Sequence, residues 1–155
     1  RDVLGSRGLG DVYKRQRYAL RLMLDIALNE KEGEPVRIKD IARRQELSCK
    51  YLEQIISALH KAGYVRSIRG PQGGYLLTRT PSQYTAGMIL RLTEGSLAPV
   101  SCLEGEENTC ARLNECATVV LWQKLNDAIS SVVDTVTLQD LIEWHCDRSG
   151  NNYVI

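Results

Sequence analysis

Three of the five cysteines crowd into one short stretch. Cys102, Cys110 and Cys116 follow the spacing C-x7-C-x5-C. Soft thiolates suit iron–sulfur clusters and zinc, and this spacing is looser than the C-x2-C pairs of zinc ribbons. Two of the thiols fall on a predicted loop and the third at the start of a predicted long helix. A helix N-terminus lowers a thiol's pKa and favours its ligating or reactive form. Three cysteines and one further ligand would hold a cluster that can be lost, and the loss would be a signal. A thiol switch and a zinc site are the rival readings of the same residues. Cys49 and Cys146 lie apart from the group and read as a small helix residue and as packing.

A second set of residues suits nucleic acid. Residues 36–80 carry nine basic and three acidic side chains, net +6, whereas residues 81–155 carry four and ten, net −6. A basic segment joined to an acidic one suggests a polyanion-binding module beside an oligomerising or sensing part. Within the basic segment a predicted helix opening at Ser48 presents Lys50, Tyr51, Glu53, Gln54, Ser57 and Lys61. A helix fits the major groove, where Gln pairs with adenine and a carboxylate accepts from cytosine. A following hairpin carries Arg66, Arg69 and Gln72, and a basic wing of this kind can enter the minor groove.

The elements that position these residues can be read from periodicity. Ala19, Leu22, Met23, Ile26 and Ala27 have helical spacing from about Arg17, and Gly33 and Pro35 end that helix. A short helix follows over about 38–45. A third, N-capped by Ser48, runs to about Ala62, and Gly63 stops it. The period then falls to two over 64–69 and 74–78, around the turn Gly70-Pro71-Gln72-Gly73. Thr85 caps a helix to about Thr93, and 95–111 is a polar loop with too few apolar residues to pack alone. A long helix over about 114–135 places Val119, Trp122, Leu125, Ile129, Val132 and Val133 on one side. Thr137-Leu138-Gln139-Asp140 opens a last helix to about Cys146. The long stripe exceeds what so small a chain can cover, which predicts a homodimer.

Arg17-Tyr18-Ala19-Leu20, Tyr51-Leu52-Glu53-Gln54 and Arg69-Gly70-Pro71-Gln72-Gly73-Gly74-Tyr75 together resemble the Rrf2 family of bacterial transcription regulators. That family includes an iron–sulfur assembly regulator, a nitric-oxide sensor and a cysteine-metabolism repressor. The resemblance implies a dimeric winged-helix repressor binding double-stranded DNA. It supports Ser48, Lys50, Glu53 and Gln54 as recognition-helix positions, Arg69 as the wing's minor-groove residue, and Cys102, Cys110 and Cys116 as cluster ligands. The iron–sulfur assembly regulator has a His three residues after its third Cys, where this chain has Val119. A fourth ligand must then be Glu104, Glu106 or Glu107, a group from the other subunit, or a small molecule; His145 and Cys146 are weaker candidates. The ending Tyr153-Val154-Ile155 is similar to the tail of cluster-free regulators of cysteine metabolism, which act with a sulfur-metabolism enzyme as partner.

The expected fold is mainly α with a small β-hairpin: a winged helix-turn-helix plus a long C-terminal dimerisation helix. Residues 1–16 mix Gly and Ser with charges, lack an initiator Met and show no period, so they read as a disordered or non-native leader. Residues 17–94 form the DNA-binding unit, 95–113 the sensor loop, 114–147 the dimerisation helices and 148–155 a tail. No apolar run approaches the roughly 18 residues of a membrane span, no secretory signal is apparent, and the expected location is the cytoplasm. His60 and His145 are far apart, and G-x-S-x-G, P-loop, H-E-x-x-H and C-x-x-C motifs do not occur, so an enzyme is not expected.

Overall fold

The computed structural model describes residues 9–150, with side chains from Lys14 onward. The chain runs α1 (Leu9–Asn29), α2 (Ile38–Gln45), α3 (Cys49–Lys61), β1 (Val65–Ile68), β2 (Gly74–Leu77), α4 (Ala86–Glu94), α5 (Thr118–Val133) and α6 (Leu138–Gly150). Short 3-10 turns occupy Pro81–Gln83, Ser101–Leu103 and Leu113–Glu115. The winged helix-turn-helix order expected from the pattern is present.

The first helix begins at Leu9 rather than near Arg17, so residues 9–16 are helical. Extending a formed helix avoids the nucleation cost, and Lys14-Arg15-Gln16-Arg17 are good helix formers. The rest of the expected leader, residues 1–8, and Tyr153-Val154-Ile155 lie outside the described residues.

The core follows the 3.6-residue period. Ala19, Leu22, Met23 and Ile26 of α1 meet Ile41 of α2, Leu52, Ile55, Ile56 and Leu59 of α3, and Ile89 of α4, all nearly or fully buried. Helix α1 is the central post, packed against α3, α4 and α6. One charged residue lies among these apolar groups. Asp25 is 3 % exposed and accepts from Arg44 Nη2 at 2.6 Å and from Gln45 Nε2 at 2.7 Å. Burying a carboxylate is costly unless it is paired and hydrogen-bonded, so this network fixes α2 against α1.

A buried tyrosine ties the foot of the hairpin to the chain that follows it. Tyr84 is fully buried; its hydroxyl donates to the Tyr64 carbonyl at 2.6 Å and accepts from the Thr78 and Arg79 N–H groups at 3.1 and 3.0 Å. Antiparallel pairing of Val65 with Leu77 and Ile68 with Gly74 sets the hairpin register. Tyr75 exchanges two backbone hydrogen bonds with Val36, at 2.9 Å each, so the α1–α2 linker adds a bridge to β2.

The C-terminal part is held less closely. Ala86 N–H donates to the Val136 carbonyl and Leu138 N–H to that of Tyr84, joining the start of α4 to the α5–α6 connection. Arg91 of α4 pairs with Asp134 at the end of α5. Helix α5 nevertheless buries none of its own residues. The single stripe expected on it divides in two. Val119, Trp122, Ile129 and Val133 are half-buried, while Leu125 and Val132 are exposed, together with Val120 and Leu121.

Candidate nucleic-acid interface and cysteine loop

Helix α3 owes its placement to α2. Glu46 closes α2 in the left-handed region at φ 55°, and Leu47 packs against the core. The turn leads directly to Ser48, whose hydroxyl accepts from Tyr51 N–H at 3.2 Å. Ser48 is therefore the N-cap of α3, a role that satisfies one of the helix's orphan N–H groups.

With Leu52, Ile55, Ile56 and Leu59 turned inward, Lys50, Glu53, Gln54, Ser57 and Lys61 form a contiguous exposed polar face. Tyr51 sits at its border, half-buried, with its ring edge-on to Tyr18 at 5.7 Å. His60 is exposed on the helix surface, as the sequence suggests.

The wing carries Arg66, Arg69 and Gln72, all exposed. Its turn needs glycine for two reasons. Gly70 adopts φ +119°, and a Cβ on Gly74 would run into the backbone of Val36. The ion pairs among the described residues join Arg43 to Asp40, Arg44 to Asp25 and Arg91 to Asp134. None of these pairs uses Lys50, Lys61, Arg66 or Arg69, so those four cations are available on the surface around α3 and the wing. Unneutralised cations on a convex surface are what a phosphate backbone attracts.

Sequence reasoning missed one residue of this surface. Arg37, exposed at the N-cap of α2, donates from Nη2 to Oε1 of Gln72. It was one of nine basic residues counted in the segment, and only the fold of the hairpin back onto the linker singles it out.

The cysteine region differs from expectation in two ways. The loop is not wholly polar and unpacked: residues 97–100 are half-buried, as are Cys102 and Leu103, and the turn Ser101–Leu103 rests against α5. The long helix starts later than expected, at Thr118, because Cys116 is extended. Cys116 thus stands just ahead of α5, with Sγ 3.3 Å from Thr118 Oγ1. The Thr118 hydroxyl, with backbone N–H groups of Val119 and Thr118, holds its thiol below the ordinary range. Cys110 is exposed, and its N–H donates to Asn108 Oδ1 at 3.0 Å. The donor chemistry fits a thiophilic metal centre. Among the described residues, however, no three His, Cys, Asp or Glu side chains stand close enough together to hold a metal ion. The three cysteines are thus near one another in sequence without forming an assembled site.

Residues 12–144 match the Rrf2 family, described as iron-dependent transcriptional regulators. The HTH-type transcriptional regulator IscR of Pectobacterium carotovorum is 41% identical over 126 residues, covering 81% of this chain and 75% of that one. CymR of B. subtilis, described as its global cysteine regulator, superposes with a TM-score of 0.69 at 40% identity, over 84% of this chain and 94% of that one. IscR of T. potens superposes with a TM-score of 0.67 at 37% identity, over 90% of each chain. Similar relatives thus carry both names. With the family match spanning most of the sequence and the helix–helix–wing order in place, this chain belongs to the Rrf2 family of transcriptional regulators.

Proposed function

We propose that the protein is a homodimeric repressor that grips duplex DNA with α3 and the wing and reports iron–sulfur or redox status through Cys102, Cys110 and Cys116. The observation that carries the DNA part is the exposed face of Lys50, Glu53, Gln54, Ser57 and Lys61 beside a wing with unneutralised Arg66 and Arg69. In this reading α3 lies in the major groove, where Gln54 and Glu53 meet base edges. Ser48, Lys50 and Tyr51 fix the helix on the backbone, and Arg66, Arg69 and Gln72 enter the minor groove. The exposed apolar residues of α5 support a symmetric dimer in which that helix meets its copy. Two copies of α3 then lie about one DNA turn apart, roughly 34 Å. The same reading divides the chain into residues 17–94 for DNA, 95–113 for sensing, 114–147 for pairing and 148–155 as a tail. Its place of action is the cytoplasm. No described helix is long and apolar enough to cross a membrane.

In this reading Cys102, on the turn against α5, and Cys116, just before α5, link the loop to that helix, with Cys110 as the third ligand. A cluster bound there would supply an oxygen-sensitive tie between them. Ordering the loop can change DNA affinity only by as much as it favours one dimer geometry over the other. A second reading is favoured by the lowered Cys116 thiol and by the likeness to the cysteine regulator. In it the thiols act without a cluster, as a switch or with a sulfur-metabolism enzyme as partner.

Anaerobic iron and acid-labile sulfide analysis with an absorbance spectrum, on the parent and on a Cys102→Ala/Cys110→Ala/Cys116→Ala variant, separates the two readings. Iron and sulfide present in the parent and lost in the variant support the cluster. Equal iron and sulfide in both proteins puts the site elsewhere, and no iron in either leaves the thiol switch.

A further inference from the structure

We infer that Arg37 is a specificity-positioning residue: by holding the side-chain oxygen of Gln72, it orients the wing's amide side chain so that the amino group is the end presented outward. The inference rests on the reading in which the wing enters the minor groove.

The geometry begins at the root of the wing. The Val36–Tyr75 backbone pair and the absence of a side chain at Gly74 bring the α1–α2 linker hard against β2. Arg37 follows Val36 directly, so its guanidinium is held within reach of the turn. There it donates to Gln72 Oε1. Both side chains are exposed, so the contact serves no core packing.

A free glutamine amide offers one acceptor and two donors, and it can swing to present either end. With Oε1 turned toward the Arg37 guanidinium and one of its two lone pairs used there, Nε2 is the end presented to a ligand. The minor groove presents acceptors at every base pair, namely purine N3 and pyrimidine O2, and a G·C pair adds the guanine N2 amino donor between them. Presented amino end first, Gln72 donates to the A·T acceptors but meets the guanine N2 amino group donor to donor. Arg37 thereby biases the wing toward A·T pairs without touching a base itself. Removing it frees Oε1, so that Gln72 can turn and accept from guanine.

The test is a selection of preferred duplexes from a randomised pool, followed by anisotropy titrations at several salt concentrations. The parent, Arg37→Ala, Gln72→Ala, the double variant and Arg69→Ala are compared on paired duplexes differing only by A·T or G·C under the wing. The parent should prefer A·T by about three- to tenfold, the range of one hydrogen bond made or lost. Arg37→Ala should erase that preference with the salt slope unchanged, and adding it to Gln72→Ala should change nothing further. A uniform loss across sequences, with a salt slope shallower by roughly 0.9 in both backgrounds, would make Arg37 a direct phosphate contact and overturn the inference. So would an unaltered A·T preference in Arg37→Ala with melting temperature equal to the parent's. If Arg69→Ala binds like the parent, the failure lies in the wing reading itself. Should Arg37→Ala melt early, Arg37→Met replaces it, since that side chain keeps an unbranched stem and has no hydrogen-bond donor.

Discussion

Replacing Tyr84 by Phe should loosen the wing without disturbing the core. The ring is fully buried and stays in place, so no cavity opens. What is lost is the hydroxyl, which donates once and accepts from two backbone N–H groups. A hydrogen bond contributes roughly 0.5–1.5 kcal/mol net, which bounds the total at about 4.5 kcal/mol. Two features reduce it. Thr78 N–H keeps a second acceptor, the Tyr64 carbonyl at 3.3 Å, and Thr78 and Arg79 lie at the surface where water can replace the lost partner. About 2 kcal/mol remains, which corresponds to a fall in melting temperature of about 4–8 °C for a chain of this size. The assay is thermal denaturation at fixed protein concentration, with hydrogen exchange of the Arg79 amide as the local readout. Because the loss falls at the hairpin's foot, DNA affinity should fall more than the stability of α1 to α3. A shift of less than about 1 °C, with Arg79 equally protected, would refute the view that this hydroxyl ties the hairpin to the body.

Asp25→Asn should destabilise the fold by about 2–3 kcal/mol, below the range for a fully buried pair because Arg44 is 34 % exposed; denaturant titration checks it. Thr118→Val should slow alkylation of Cys116 near neutral pH. The lowered pKa places the thiolate at lower pH in the parent, and losing the Thr118 hydroxyl moves the rate–pH profile upward. Leu121→Glu with Leu125→Glu should turn a dimer into a monomer by sedimentation, with far-ultraviolet dichroism kept, since both residues are exposed within one chain.

Much of the winged-helix part was legible because local rules and tertiary packing agree there. Leu52, Ile55, Ile56 and Leu59 recur at helical spacing and are buried, so the opposite face of α3 could be named from the pattern alone. Ser48 was legible as a cap, and Gly70 to Gly74 as a turn. Less was legible where a contact spans distant segments. Asp25 sits in an apolar stripe, and nothing local marks Arg44 and Gln45 as its partners. Tyr84 looks like an ordinary loop tyrosine until Tyr64, Thr78 and Arg79 converge on it. Arg37 and Gln72 are 35 residues apart, joined only by the hairpin folding back. The stripe on α5 was visible, but periodicity could not say that Trp122 and Ile129 face their own chain while Leu125 and Val132 face outward.

Joint reading of duplex DNA by α3 and the wing is tested by titrating a duplex selected by the parent protein with the parent, Gln54→Ala and Arg69→Ala, over a range of salt. Arg69→Ala should cost about 1–3 kcal/mol and Gln54→Ala should relax discrimination at one base pair per half-site, with parent affinity falling steeply as salt rises. Parent-like affinity and base preference in both variants would mean that α3 and the wing do not read the duplex.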